Sequence, residues 1–224
     1  MSSGANVAEA AYDFWNERWL DGQIGFHEGT PNVLLETHIA RLEARKAKAR
    51  VLVPLSGKSM DLRWLAERGH QVVGVEFVPT AVRDFFAEWN VEPERLEIGG
   101  HPAASANGVT LICADILGVP PDALGTFDVV YDRAALVALE PQARAPYIEV
   151  CRKALAADGV VFLVTFAYDQ SRAAGPPYSV DTALVHQLYA RETIELLETR
   201  AAPTSKRLTA AGVPSFDESA YLIS

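Results

Sequence analysis

An α/β fold with a doubly wound, mostly parallel sheet is what this sequence predicts, and three observations predict it. Short apolar runs alternate with amphipathic segments from Arg50 to about Asp169. The apolar runs are continuous, which marks strands buried on both faces. The 224 residues, 49% hydrophobic and 22% charged, suffice for one domain with a sizeable core. Strands alternating with helices then give a parallel sheet covered on both faces.

The first stretch, to about residue 45, predicts a helical extension with a loop from Gly22 to Asn32. Its aromatics Tyr12, Phe14, Trp15, Trp19 and Phe26 are too many for an idle tail, so it is expected to pack on the domain as a cover. "RVLVPL" from Arg50 is a buried strand. "SMDLRWLAERG" places Met60, Leu62, Leu65 and Ala66 at helical spacing and stops at Gly69. "QVVGVEF" is a second buried strand, and "PTAVRDFFAEWN" a helix opened by Pro79 with Val82, Phe85, Phe86 and Trp89 on one side. "EPERLEIGGHPAASANG" is expected to be an irregular connection. "VTLICAD", "FDVVYD" and "GVVFLVTFAYD" are strands, with a helix ended by Gly159 before the last of them. After a turn-rich loop, "VDTALVHQLYAR" predicts a helix, and "TIELLETR" and "SAYLIS" predict strands. One domain over residues 1–224 follows, with residues 1–45 as its helical cover.

Composition excludes several classes. A net charge of −9 repels phosphate backbones, so nucleic acid is not expected as a partner. No segment reaches the roughly 18 uninterrupted apolar residues of a membrane span. The N-terminus lacks the basic start and apolar run of a signal peptide, and Cys113 and Cys151 make no disulfide framework. A cytoplasmic monomer acting on small molecules is expected. His27, His38, His70, His101 and His186 show no metal-ligand spacing, so no metal is expected.

The chemistry begins at "VLVPLSGKSMDLRW". Gly57-Lys58-Ser59 after a strand has the ending of a triphosphate-binding loop, but the first glycine such a loop needs falls on Leu52. Nor is it a Gly-x-Gly-x-x-Gly dinucleotide fingerprint, since only Gly57 is present. What survives is the rule that ligands bind beyond the carboxyl ends of the strands in a doubly wound sheet. Glu76 ends the second strand about twenty residues past the loop, where dinucleotide folds place an acid on ribose hydroxyls. A carboxylate accepting two hydrogen bonds matches a cis-diol. A ribose-binding acid with no pyrophosphate site suits S-adenosylmethionine. The competing reading is that Glu76 merely ends a strand in solvent. For Asp115 two readings stand: acceptor for an adenine amino group with Ile116 against the ring, or a turn cap. Asp132 and Arg133 end the fourth strand. Arg133 there suits a carboxylate through a two-pronged contact, or the two are a structural neighbour pair.

Together these stretches resemble the thiopurine S-methyltransferase family. The matching segments are "FWNERW" at 14–19, "GQIGFHEGTPNVLLETHI" at 22–39, "VLVPLSGKSMDLRWLAERGHQVVGVEF" at 51–77, "YDRAALVAL" at 131–139 and "TFAYDQSRAAGPPYSV" at 165–180. The resemblance implies a class I, Rossmann-like methyltransferase with a seven-stranded sheet and a reversed last strand. It implies cofactor roles for Trp19, Leu55, Glu76 and Arg133, an adenine pocket at Asp115 and Ile116, and an acceptor-pocket aromatic at Phe26. Leu55 to Gly57 are then expected near the methionine end of the cofactor. The family usually has Cys where this chain has Ser56, and residues after about 185 match less well.

Methyl transfer from a sulfonium is an in-line displacement needing alignment and exclusion of water more than a strong base. Trp19 and Phe26 suit that task, and Arg133 suits orientation of the reactants. Asp132 is the one nearby candidate base. His27 either lines the acceptor loop or is a satisfied structural histidine. The expected reaction is methyl transfer from S-adenosylmethionine to the sulfur of a small thiol or thiopurine, or to selenium or tellurium species. The alternatives are an oxygen, nitrogen or halide acceptor, a module that binds the cofactor without turnover, and a P-loop nucleotidase, which the missing glycine opposes.

Overall fold

A computed structural model describes residues 3–25 and 27–224. The chain enters as helix α1 (Ser3–Leu20) and helix α2 (Val33–Glu43), which Asn32 caps by accepting from the amides of Leu34 and Leu35. Strand β1 (Arg50–Pro54), helix α3 (Met60–Glu67), strand β2 (Gln71–Glu76) and helix α4 (Pro79–Trp89) follow. Strands β3 (Glu94–Ile98), β4 (His101–Ala106) and β5 (Val109–Cys113) come next, then the short helix α5 (Pro121–Leu124) and strand β6 (Phe127–Arg133). Helix α6 (Pro141–Ala154), strand β7 (Leu155–Ala167), helix α7 (Thr182–Leu188), strand β8 (Ile194–Pro203), helix α8 (Lys206–Ala210) and strand β9 (Ser215–Ile223) complete it.

Among the described residues nine strands form one sheet, in the order β3-β4-β5-β2-β1-β6-β7-β9-β8. The centre is parallel: β1 pairs with β2 and β6, β2 with β5, and β6 with β7. β9 enters antiparallel to both β7 and β8, which gives the expected reversed last strand. The sheet has nine strands rather than the expected seven, because residues 94–106 are not irregular. They form an antiparallel hairpin, turned by Gly99 and Gly100 at φ 62° and 82°, that extends the β5 edge. Helix α6 also ends sooner than expected, at Ala154, and the chain joins the sheet at Leu155 instead of after Gly159.

The core lies along the central strands, where Leu52, Val53, Val75, Leu111, Val130 and Phe162 are buried. Helices α3 and α4 pack on β2 and β5, and α5 packs on α6. Strands run leftward from β1 to β2 and rightward from β6 to β7, so right-handed crossovers place α3 and α6 on opposite faces. The order reverses between β1 and β6, and that reversal opens the crevice where ligands bind in such sheets. Helix α1 crosses over α4, with Trp19 clustered on Val78 and Ala81 and flanked by Trp15, Ile24 and Phe77. Among the described residues no helix is long and apolar enough to cross a membrane, and no metal-binding group of His, Cys, Asp and Glu stands together.

Candidate active site

The β1 loop sets the geometry. Leu55 and Gly57 both take left-handed backbone, φ 47° and 53°. For Leu55 this carries roughly 1–2 kcal/mol of strain, the kind stored where a loop must turn tightly at a site. The two turns bring the Gly57 amide to Glu76 at the end of β2. Glu76 Oε2 accepts from Gly57 N–H at 2.9 Å, and Oε1 accepts from Val78 N–H at 2.8 Å. The carboxyl is buried, and burial raises its pKa to about 7 against the pull of those amides. It is therefore not a solvated strand end. It ties β1, β2 and the start of α4 together, and two N–H donors use about half of the acceptor capacity of a carboxylate.

Trp19 lies on this loop. Its ring comes within 3.3 Å of where a side chain on Gly57 would begin, so only glycine lets the indole close down here. Lys58, which carried the suspicion of a phosphate role, ion-pairs with Glu88 of α4 at 2.5 Å and holds its ammonium 6.0 Å from the Trp19 ring. On the other side of β2, Cys113 pairs in register with Glu76, and Asp115 and Ile116 follow it. Asp115 Oδ1 accepts from Leu117 N–H at 3.0 Å, and Ile116 is buried. Cys113 is half-buried, its thiol pKa raised by burial and by Glu76. From Asp115 across β2 and β1 to Arg133 on β6 is three strand spacings, roughly 14 Å. Nucleoside-facing and amino-acid-facing groups of an elongated ligand can span that distance.

At the β6 end, successive side chains diverge. Tyr131 donates from Oη to Asp61 Oδ2 on α3 at 2.8 Å. Asp132 points to the opposite face, where its oxygens accept from Tyr147 Oη on α6 at 2.7 Å and from Leu136 N–H at 3.0 Å. Burial raises the Asp132 pKa to about 6. Arg133 turns back toward the cover loop and ion-pairs with Glu28. Asp132 and Arg133 are thus neighbours in sequence only. His27 lies in the same loop, its pKa lowered by burial and by Lys58 and Arg133. Phe26 lies outside the described residues.

A buried polar network, not anticipated from the sequence, fixes this loop. Asn32 N–H donates to Asp61 Oδ1 at 2.7 Å, and Asn32 Nδ2 donates to Glu218 Oε1 at 3.3 Å and Glu28 Oε2 at 3.5 Å. Arg200 closes it on Glu218 Oε2 at 2.8 and 2.6 Å. The asparagine before an apolar run was a readable helix cap. Its partners 29 and 186 residues away were not readable.

A reversed last strand, a loop-to-acid bridge at the β1–β2 tips and a helical cover define a class I methyltransferase, the S-adenosylmethionine-dependent kind. The family model for thiopurine S-methyltransferase matches residues 10–224. A thiopurine S-methyltransferase of Xanthomonas campestris pv. campestris is 41% identical over 211 residues, 93% of this chain and 96% of that one. The Pseudomonas putida protein of the same name is 40% identical over 212 residues, 94% of this chain and 98% of its own. The chain belongs to the thiopurine S-methyltransferase family. Among solved structures it is similar in fold to the 1,6-didemethyltoxoflavin-N1-methyltransferase of Burkholderia thailandensis, with TM-score 0.66, 16% identity, 99% of this chain and 91% of that one. The magnesium protoporphyrin IX methyltransferase of Synechocystis gives TM-score 0.64, 15% identity, 96% of this chain and 95% of that one.

Proposed function

We propose that this protein moves the methyl group of S-adenosylmethionine to the sulfur of a small thiol or thiopurine-like acceptor, with selenium and tellurium species as chemically related acceptors. The observation that carries the cofactor half is the buried Glu76, bridged to the Gly57 amide beneath Trp19. The acceptor half rests on the family. The residues fit the cofactor: Glu76 has acceptor capacity for ribose hydroxyls, and Asp115 and Ile116 stand one strand away for the adenine. Leu55, Gly57 and Trp19 line the stretch between Glu76 and Arg133. When bound, the cofactor supplies a methyl group already activated on a sulfonium.

The chain's own residues then have three tasks. Glu76 and the β1 loop hold the nucleoside in one orientation. Trp19, backed by Val78 and Ala81, excludes water and presents an aromatic face to positive charge. Arg133, held in its pair with Glu28, helps to orient the reactants, and in-line alignment supplies the larger part of the acceleration. Asp132 has no place in this scheme, since both its oxygens are engaged on the α6 face. We take the acting form to be a cytoplasmic monomer, and the net charge of −9 favours small molecules over nucleic acid as partners.

The test is methyl-labelled cofactor with matched acceptors: thiophenol, phenol, aniline and iodide. Sulfur is expected to lead in kcat/KM by at least about a hundredfold. Equal transfer to oxygen or nitrogen overturns the sulfur reading. Tight cofactor binding with no product from any acceptor overturns the catalytic one.

A further inference from the structure

Glu28 stands in a place the methyl-transfer scheme does not use. Its carboxylate pairs with Arg133 from the solvent side: the arginine side chain is 8% exposed and the glutamate 44%. A ligand that reaches this guanidinium from the solvent side therefore meets the Glu28 carboxylate as well. Glu28 is not loose, because Asn32 Nδ2 donates to its second oxygen and Asn32 is anchored to Asp61 and Glu218. Three carboxylates, Glu28, Asp61 and Glu218, meet at Asn32, and two guanidiniums, Arg133 and Arg200, pair with Glu28 and Glu218. The pairing consumes the charge of Arg133 and leaves the patch net negative. Burial raises the Glu28 pKa, Arg133 lowers it, and Glu218 and Asp61 raise it further, as expected for a carboxylate held among others.

We propose that Glu28 is a specificity-determining residue of the acceptor side: by occupying Arg133 it selects acceptors without an acid group and rejects carboxylated ones. This rests on the reading of the site as that of a methyltransferase whose cover loop faces the acceptor. The physical basis is repulsion in a partly buried setting, where like charges near one guanidinium discriminate more than they do in water. Glu28→Gln keeps the shape, keeps an acceptor oxygen for Asn32, and releases the charge of Arg133.

The experiment compares two thiols of one shape, thiophenol and 4-mercaptobenzoate, as acceptors for wild type and Glu28→Gln. In parallel, the methylated forms, thioanisole and 4-(methylthio)benzoate, are titrated into protein loaded with S-adenosylhomocysteine. Glu28→Gln is expected to tighten the carboxylated compound about tenfold relative to the neutral one, and to raise its relative kcat/KM similarly. Glu28→Gln combined with Arg133→Gln is expected to abolish that gain. An unchanged binding ratio overturns the proposal. So does a parallel loss for both compounds with weaker S-adenosylhomocysteine binding, which makes Glu28 a support for the loop, and so does failure of both compounds to bind either form. If wild type methylates neither thiol, thiol methylation fails, while the binding ratio still decides the role of Glu28.

Discussion

Replacing Glu76 by Gln keeps the outline of the side chain and removes its charge and one acceptor oxygen. In the folded protein Oε2 serves the Gly57 amide at 2.9 Å and Oε1 the Val78 amide at 2.8 Å. Gln offers one oxygen to two amides, so one buried N–H loses its acceptor. It also loses a charged acceptor for a ribose hydroxyl. A hydrogen bond to a charged group contributes about 1.5–3 kcal/mol, so cofactor binding should weaken by about 2 kcal/mol, roughly thirtyfold in Kd. The pH dependence is sharper still. The Glu76 pKa is raised to about 7, and the diol needs the ionised form, so wild-type affinity should fall as pH drops below about 7. Glu76→Gln should be flat over that range. Without ligand the sign is opposite. A raised carboxyl pKa contributes stability below about 4.5 that is lost as pH rises through about 7, a change of about 3 kcal/mol from this one group. Calorimetric titration with S-adenosylhomocysteine at pH 6, 7 and 8 reads the first effect, and thermal unfolding of the free protein reads the second. A Kd for Glu76→Gln within about twofold of wild type at pH 8 refutes the assignment of Glu76 to the ribose.

Three further outcomes are expected. Asp132→Asn should leave methyl transfer within a few-fold of wild type while lowering stability by about 1–3 kcal/mol, since it disturbs the Tyr147 and Leu136 contacts. A large rate loss at unchanged Tm would return Asp132 to the catalytic machinery. Gly57→Ala puts a methyl 3.3 Å from the Trp19 ring on left-handed backbone, and should cost about 1–2 kcal/mol and weaken cofactor binding; calorimetry and Tm check both parts. Ser56 buries an Oγ that has no hydrogen-bond partner among the described residues, so Ser56→Ala should raise stability by about 1 kcal/mol, or roughly 2–4 °C in Tm. An equal or lower Tm for Ser56→Ala shows that the hydroxyl is satisfied.

The alternation of apolar runs and amphipathic helices carried the parallel centre of the sheet, because buried strands and helix faces are local patterns. The β3–β4 hairpin escaped because β3 is largely exposed and its sequence "ERLEI" shows no buried run. The paired glycines at 99 and 100 were the turn signal there to be used. The place of Glu76 beside the β1 loop was legible from its offset, a spacing fixed by one strand–helix–strand unit; its bond to the Gly57 amide was not. Asp132 was expected in the crevice beside Arg133 as a candidate base, although side chains alternate faces along a strand with period two. That rule alone sends Asp132 toward α6 and Arg133 back toward the cover. Asn32, Asp61, Tyr131 and Glu218 meet only through the folded topology, so no local pattern could announce them.

The hydrogen bond from Asn32 to Glu218 joins residues 186 positions apart. During synthesis that interval takes roughly ten to forty seconds at 5–20 residues per second. Until β9 emerges and seats beside β7, Asn32 lacks its Glu218 partner, and the loop bearing Glu28 is held through Asp61 and Arg133 without it. Completion of the Asn32 network is therefore a late event in the life of each molecule, and a nascent chain long enough to fold the β1–β2 unit is still without it. This tie adds to the long-range contacts, such as His38–Glu198 and Arg41–Glu195, that raise the contact order of the fold.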